Sequence, residues 1–124
     1  MGSGLEASCS CGFLVPSFPA GGGMADFTTT CWAPAYCATC RTVVVRNYLS
    51  KRPRCGTCGH KVVFYNEPAL RAPDGAADDR DEKARMVFSW FTDAGQFRLP
   101  ATRYLCPACG EFGLEFHDSG LLWD

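Results

Sequence analysis

The sequence has little histidine and no long apolar segment, and each shortage excludes a class of function. Only two histidines occur among 124 residues, and neither belongs to an HExxH motif or a recognisable catalytic triad. No glycine-rich phosphate-binding loop is present, and no run approaches the roughly 18 apolar residues of a membrane span. We therefore expect a protein that is not an enzyme, does not enter a membrane and has no evident small-molecule substrate.

The first residues, MGSGLEASCSCG, lack the features of a secretory signal peptide. They contain no basic segment, and no apolar run reaches about seven residues. We therefore predict a cytoplasmic protein, in a reducing compartment where cysteines serve as metal ligands more often than as disulfides. The length predicts a single compact domain, 1–124.

Acidic residues are missing from residues 27–66, which carry six basic ones, whereas eleven acidic and six basic residues follow. A basic half can form a surface for nucleic acid, RNA or DNA; alternatively, these charges only solvate a small sheet. Tyr48, Phe64 and Tyr65 are candidates for stacking on exposed bases, or else belong to the core. The candidate nucleic-acid contacts are Arg41, Arg46, Lys51, Arg52, Arg54 and Lys61.

Cysteine is unusually frequent for a chain of this length, and four of the nine cysteines form a regular pattern. A C-x-x-C turn points two thiolates at one ion, and fourteen intervening residues allow a strand out and back to a second such turn. Four thiolates at about 2.3 Å then close a tetrahedral zinc site. The first predicted zinc site, with spacing C-x2-C-x14-C-x2-C, consists of Cys37, Cys40, Cys55 and Cys58.

With this pattern, residues 36–66 resemble a zinc ribbon, in which two cysteine knuckles each lead into a β-strand. The resemblance implies a small antiparallel β fold with the four cysteines as structural ligands. It implies no particular function, because such ribbons occur in nucleic-acid, ribosomal and purely structural settings. The resemblance therefore does not distinguish a protein partner from a nucleic-acid partner.

The pair Cys106 and Cys109 is half of a metal site with no second pair nearby. The other close pair, Cys9-Ser-Cys11-Gly12, has one intervening residue instead of two but ends in the same Cys-Gly step. We predict a second zinc site from Cys9, Cys11, Cys106 and Cys109, and hence two ions per chain. Binding there would close a very long loop, so that metal affinity contributes to folding.

This pairing predicts a split second ribbon, formed by 8–18 and 104–124, with the first ribbon inserted between its halves. Cys31 and His117 remain alternative ligands, although Cys31 also reads as a buried free thiol and His117 as an exposed strand residue. The knuckle CPACG resembles the second knuckle of rubredoxins, which hold one iron in four sulfurs. That resemblance implies an alternative role in electron transfer. A thiol redox protein is a further alternative.

The remaining sequence predicts a mostly β protein with antiparallel hairpins and little or no helix. Candidate strands are FLVPSF at a sheet edge, RTVVVRNYL, HKVVFYN, residues 85–92, QFRLPATRYL and GLEFH. We expect the ordered part to open at Cys9, residues 67–82 to form an exposed loop, TDAG to form a hairpin turn, and DSG to form a turn before the terminal LLWD. That terminal segment either completes the core or docks a partner.

Overall fold

The structure is a computed structural model, and it describes residues 2–22, 30–72, 86–92 and 95–123. Within these ranges the regular structure is antiparallel β, with one three-residue 3-10 helix, Pro68–Leu70, and no α-helix. The predicted fold class, mostly β with antiparallel hairpins and little helix, is confirmed. The strands are β1 Gly2–Cys9, β2 Leu14–Ala20, β3 Trp32–Cys37, β4 Thr42–Asn47, β5 Val63–Phe64, β6 Met86–Thr92, β7 Gly95–Pro100, β8 Tyr104–Leu105 and β9 Phe112–Trp123.

The largest sheet has the strand order β2-β1-β9-β8, which places the first and last strands of the chain side by side at its centre. In β1, Leu5 and Ala7 are fully buried while Glu6 and Ser8 alternate with them, as expected for a strand with one face on the core. The expectation that order begins at Cys9 is therefore wrong.

Strand β9 runs without reversal through the segment where a turn was predicted. It pairs with β1 at Leu5↔Asp118 and again at Ser3↔Leu122, so β9 carries extra residues between the two pairs. Gly120 has φ +80° and donates its N–H to Asp118 Oδ1 at 2.8 Å. The Asp-Ser-Gly segment is thus a bulge inside a strand, and the predicted turn is wrong.

The first predicted ribbon forms its own three-stranded sheet, β4-β3-β5. Strands β3 and β4 pair in unbroken register from Trp32↔Asn47 to Cys37↔Thr42. Strand β5 is only two residues long, shorter than HKVVFYN led us to expect. A separate hairpin pairs β6 with β7, while residues 93–94 of the predicted TDAG turn lie outside the described residues.

Aromatic rings join these sheets into one hydrophobic core. Tyr65, from the ribbon, packs edge-on against Tyr104 and Phe116, with ring centroids 5.9 and 5.1 Å apart, and all three rings are buried. Burying each such side chain contributes about 1.5–3 kcal/mol. The core therefore fixes the ribbon against β8 and β9, the strands that flank the C-terminal cysteine knuckle.

The segment predicted as an exposed loop, 67–82, is only partly described. Its residues 67–69 are exposed, but Leu70 and Ala72 are buried. The backbone of Arg71 forms an isolated β-bridge with that of Tyr104. Residues 73–82 lie outside the described residues. Among the described residues, no helix is long and apolar enough to cross a membrane.

Candidate metal sites

The ribbon cysteines bring their four sulfur atoms into one cluster, named site 1. The Sγ atoms of Cys37 and Cys58 are 3.6 Å apart, those of Cys40 and Cys55 are 3.7 Å apart, and all four lie within 4.8 Å of one another. A tetrahedron with Zn–S bonds of about 2.3 Å has edges of about 3.8 Å. Disulfide sulfurs would be about 2.0 Å apart. The spacing therefore fits a shared metal ion and no disulfide.

The other four paired cysteines form a second cluster, named site 2, from two knuckles that are distant in sequence and meet at one end of the sheet. Cys9 and Cys109 place their Sγ atoms 3.8 Å apart, as do Cys11 and Cys106, and all four sulfurs again lie within 4.8 Å. Cys9 ends β1, and the Cys106 knuckle connects β8 to β9. The split arrangement results because β1 and β9 are neighbours in the sheet.

Backbone hydrogen bonds give the knuckles a common shape. Gly59 N–H donates to the Cys55 carbonyl and Gly110 N–H to the Cys106 carbonyl, both at 2.9 Å. The shorter Cys9 knuckle makes the matching bond one residue earlier, from Gly12 N–H at 3.0 Å. A turn with one residue fewer thus still directs both of its sulfurs to the same cluster.

The residue after each knuckle has positive φ. It is Gly12 at +100°, Gly59 at +74° and Gly110 at +76°, as expected because glycine has no Cβ to clash. The fourth is Arg41 at +54°, the one non-glycine residue with positive φ in the described parts of the chain. An L-residue with a Cβ adopts this region only at a cost.

Local hydrogen bonds and burial shift the pKa values of individual thiols. The backbone N–H groups of Cys58 and Thr57 lower the pKa of Cys55 to about 6. Hydrogen bonds in which the Cys40 thiol keeps its proton against the sulfurs of Cys58 and Cys55 raise the pKa of Cys40 to about 12. Burial raises the pKa of Cys106 to about 12. Each site therefore contains a thiol whose proton a metal ion must displace on binding.

The two sites differ in exposure. Cys37 and Cys55 of site 1 are buried, whereas Cys11 and Cys109 of site 2 are exposed and only Cys106 is fully buried there. An open cleft of about 660 Å³ borders site 2 and is lined by Cys9, Ser10, Cys11, Arg103, Cys109, Glu111, Phe112 and Gly113. Solvent and solutes therefore reach site 2 more readily than site 1.

Three of the six predicted nucleic-acid contacts donate hydrogen bonds to backbone carbonyls in or beside a knuckle. Arg41 Nη2 reaches the carbonyl of Ala108 at 2.7 Å. Arg46 Nε donates to the Arg54 carbonyl at 2.8 Å, and Arg54 Nη1 donates to the Gly59 carbonyl at 3.1 Å. These side chains brace the backbone of the cysteine knuckles, a role that the sequence did not indicate, although Arg41 and Arg54 remain exposed.

The other three predicted contacts, Lys51, Arg52 and Lys61, are exposed. Their side chains make no hydrogen bond or ion pair with any residue that the structure describes. Lys51 and Arg52 lie in the bend after β4, and the backbone of Lys61 forms an isolated β-bridge with that of Arg54. Contact of any of the six cations with nucleic acid stays a prediction.

The candidate stacking residues are largely committed to packing. Tyr65 is completely buried, so the prediction that it stacks on a base is wrong. Tyr48 and Phe64 are half-buried and pack edge-to-face at 5.2 Å, and Tyr48 also contacts Phe97 at 5.0 Å. Their rings belong to the edge of the core.

The two alternative ligands lie outside both clusters. Cys31 is buried at the start of the ribbon sheet, and burial raises its pKa to about 11. His117 is half exposed on β9, where its Nε2 lies 3.9 Å from the Glu115 carboxylate. Neither side chain belongs to a group of metal-ligating atoms found among the described residues.

No protein family model, no curated protein and no solved structure matches this chain. Its similarity to zinc-ribbon proteins therefore rests on geometry: antiparallel hairpins and two four-cysteine groups, each of which could hold one metal ion.

Proposed function

We propose that this chain is a zinc-ribbon-like binding module in which two structural zinc ions hold the fold together. The observation that supports this most directly is that each site has four sulfurs within 4.8 Å and no histidine or carboxylate among its ligands. Structural zinc is closed by four protein ligands, whereas catalytic zinc keeps a position for water or substrate. Four thiolates fill the tetrahedron, so the role that we propose for each ion is structural and not catalytic.

The test is metal content by elemental analysis of the purified chain and three variants. We expect two zinc ions in the natural chain, one in Cys106→Ser and one in Cys55→Ser. Cys31→Ser is the matched control, because Cys31 is buried but outside both sites, and it should keep two ions. Unchanged stoichiometry in Cys106→Ser would contradict a metal-binding role for site 2.

Iron is the second candidate occupant, because four thiolates also suit a single iron ion. An iron-loaded protein would absorb visible light and would change colour on reduction, as expected for electron transfer. The one-residue knuckle at Cys9 departs from the C-x-x-C pattern that the rubredoxin resemblance requires, and this favours zinc. A colourless protein with two zinc ions would eliminate the electron-transfer role.

We further propose that the module binds an anionic partner through Lys51, Arg52 and Lys61, with nucleic acid as the first candidate. These cations are exposed, and residues 27–66 contain no acidic residue, although Glu67 lines the same cleft as Lys61. Three phosphate contacts would make binding moderately sensitive to salt, since each contact releases about one counterion.

A filter-binding titration with RNA and single-stranded DNA at two salt concentrations tests this surface. Lys51→Gln combined with Arg52→Gln should weaken binding and reduce its salt dependence. No affinity, or affinity without salt dependence, would leave a protein partner as the interaction role.

A further inference from the structure

Arg41 joins the two metal sites. It directly follows Cys40, a ligand of site 1, and its guanidinium donates to the carbonyl of Ala108 at 2.7 Å. Ala108 lies between Cys106 and Cys109 in the knuckle of site 2. A single side chain therefore spans from the backbone of one cluster to the backbone of the other, across 67 positions of sequence.

The backbone at Arg41 indicates that this side chain is retained in spite of a local cost. The three equivalent positions are glycines with φ between +74° and +100°, whereas Arg41 has φ +54°. Glycine would relax the knuckle here, but it would remove the guanidinium. Residue 41 is thus the one knuckle position where a side-chain contact stands in place of the residue that the turn prefers.

A second hydrogen bond reaches the same knuckle but has no direct connection to site 1. Tyr65 O–H donates to the carbonyl of Leu105, immediately before Cys106, at 3.0 Å. Tyr65 lies seven positions beyond Cys58 and is fixed by the buried core. Unlike Arg41, Tyr65 is not next in sequence to a site 1 ligand, and so it provides a comparison for Arg41.

We propose that Arg41 couples the two sites, so that a metal ion in one raises the metal affinity of the other; this inference rests on the proposed metal-binding function. A metal at site 1 fixes Cys40 and thereby holds the next residue at positive φ, with its guanidinium on Ala108. The knuckle of site 2 is then already ordered and loses less conformational freedom on binding its own ion. Because coupling is reciprocal, filling site 2 strengthens site 1 by the same factor.

The coupling factor can be measured with Co²⁺, whose thiolate complexes are optically visible. Cys55→Ser with Cys58→Ser leaves only site 2, and Cys9→Ser with Cys11→Ser leaves only site 1. The factor is the two-ion affinity of the intact chain divided by the product of the two single-site affinities. We expect a factor of at least about five with Arg41 in place, a factor of one in Arg41→Gly and an intermediate value in Arg41→Lys.

Tyr65→Phe is the control: it removes a hydrogen bond to the same knuckle and should lower site 2 affinity while leaving the coupling factor unchanged. A factor of one in the chain with Arg41, or an equal factor in Arg41→Gly, overturns the proposal. Failure of the natural chain to bind two ions would instead overturn the proposed function.

Chains with one disabled site could fail to fold, and a second measurement avoids them. In fully loaded protein, transfer of metal to a chelator is compared between the natural chain and Arg41→Gly. Because coupling is reciprocal, it predicts that both sites of Arg41→Gly lose metal at a several-fold lower chelator concentration, with site 2 followed by alkylation of Cys11 and Cys109 and site 1 by alkylation of Cys40 and Cys58. A change confined to one of the two sites overturns the coupling and assigns Arg41 a local role.

Discussion

The two sites use the same four-sulfur chemistry but close very different lengths of chain. In site 1 the nearest sulfur pairs join residues 15 and 21 positions apart, whereas in site 2 they join residues 95 and 100 positions apart. A metal at site 1 would therefore hold a local hairpin together. A metal at site 2 would connect the end of β1 to the knuckle between β8 and β9. Identical ligand sets thus act on different levels of structure, according to where their knuckles lie in the sequence.

Removing one ligand from each site should produce the largest effect and test this difference directly. Both Cys106→Ser and Cys55→Ser remove a buried thiol, and each should cost several kcal/mol of unfolding free energy through metal loss. Closing the 100-residue separation instead of the 21-residue one adds about 1.4 kcal/mol of loop-closure entropy. Chemical denaturation of the zinc-loaded chains should show the larger loss in Cys106→Ser. An equal or smaller loss would contradict the closing role of site 2.

Exposure predicts the order in which the thiols react. Alkylation of the zinc-loaded chain at neutral pH should modify Cys11 and Cys109 before any cysteine of site 1, because these two are exposed. Peptide mass spectrometry over time gives the order. Site 1 cysteines reacting first would mean that exposure does not control access to the clusters.

Cys31 should be alkylated most slowly of all the cysteines, because burial raises its pKa from 9.0 to about 11. The neutral thiol is favoured in the folded chain, so this group's contribution to stability is complete below pH 9 and is lost as the pH rises through about 11. We expect no alkylation of Cys31 in folded protein at pH 8 and reaction only after denaturant is added. Early modification of Cys31 would show that its surroundings open readily.

The arginine contacts of site 1 should have a smaller effect. Arg46→Ala removes the guanidinium that donates an exposed hydrogen bond to the Arg54 carbonyl beside Cys55, and it should cost about 0.5–1.5 kcal/mol. Arg52→Ala is the matched control, since that side chain is exposed and should change stability by less than about 0.5 kcal/mol. Thermal unfolding of both loaded variants makes the comparison. Equal shifts would mean that Arg46 does not support the knuckle.

The smallest expected effect lies at site 2, where Gly113 adjoins a ligand. A Cβ placed on Gly113 would lie 3.2 Å from Cys9 Sγ, so Gly113→Ala should displace that sulfur slightly and weaken metal binding by a few-fold. Competition with a chelator measures the change. Because Gly113 has no contact with site 1, an equal weakening there would point to a general loss of stability.

Cysteine spacing could be interpreted from the sequence because ligand geometry imposes it locally. The C-x-x-C turns and their following glycines form as simple chain constraints require, and the eight paired cysteines lie together in the two groups that spacing suggested. Whether they bind zinc stays a prediction. Strands β4 and β6 could also be predicted from the sequence, since runs such as three consecutive valines favour an extended chain.

Other features depend on tertiary contacts that no local pattern contains. Strand β1 was missed because its glycine-rich start hides the alternation of Leu5 and Ala7, and its pairing with β9 spans the whole chain. The Asp-Ser-Gly bulge resembles a turn in sequence, and only the pairing with β1 distinguishes them. The hydrogen bonds of Arg41, Arg46 and Arg54 to backbone carbonyls could not be foreseen, because the sequence does not indicate which carbonyl a long cationic side chain will reach.

The central position of β1 also affects the order in which the molecule can assemble. During synthesis β1 and β2 emerge well before β9, so β1 can pair with β2 early, whereas its other edge and the thiols of its knuckle have no partner until β9 and the Cys106 knuckle have been made. The ribbon closes over short separations and can fold and acquire its ion earlier, because local contacts form faster than distant ones. We therefore expect a folding intermediate with site 1 loaded and the β9-facing edge of β1 still open, the stage at which this chain is most prone to aggregate.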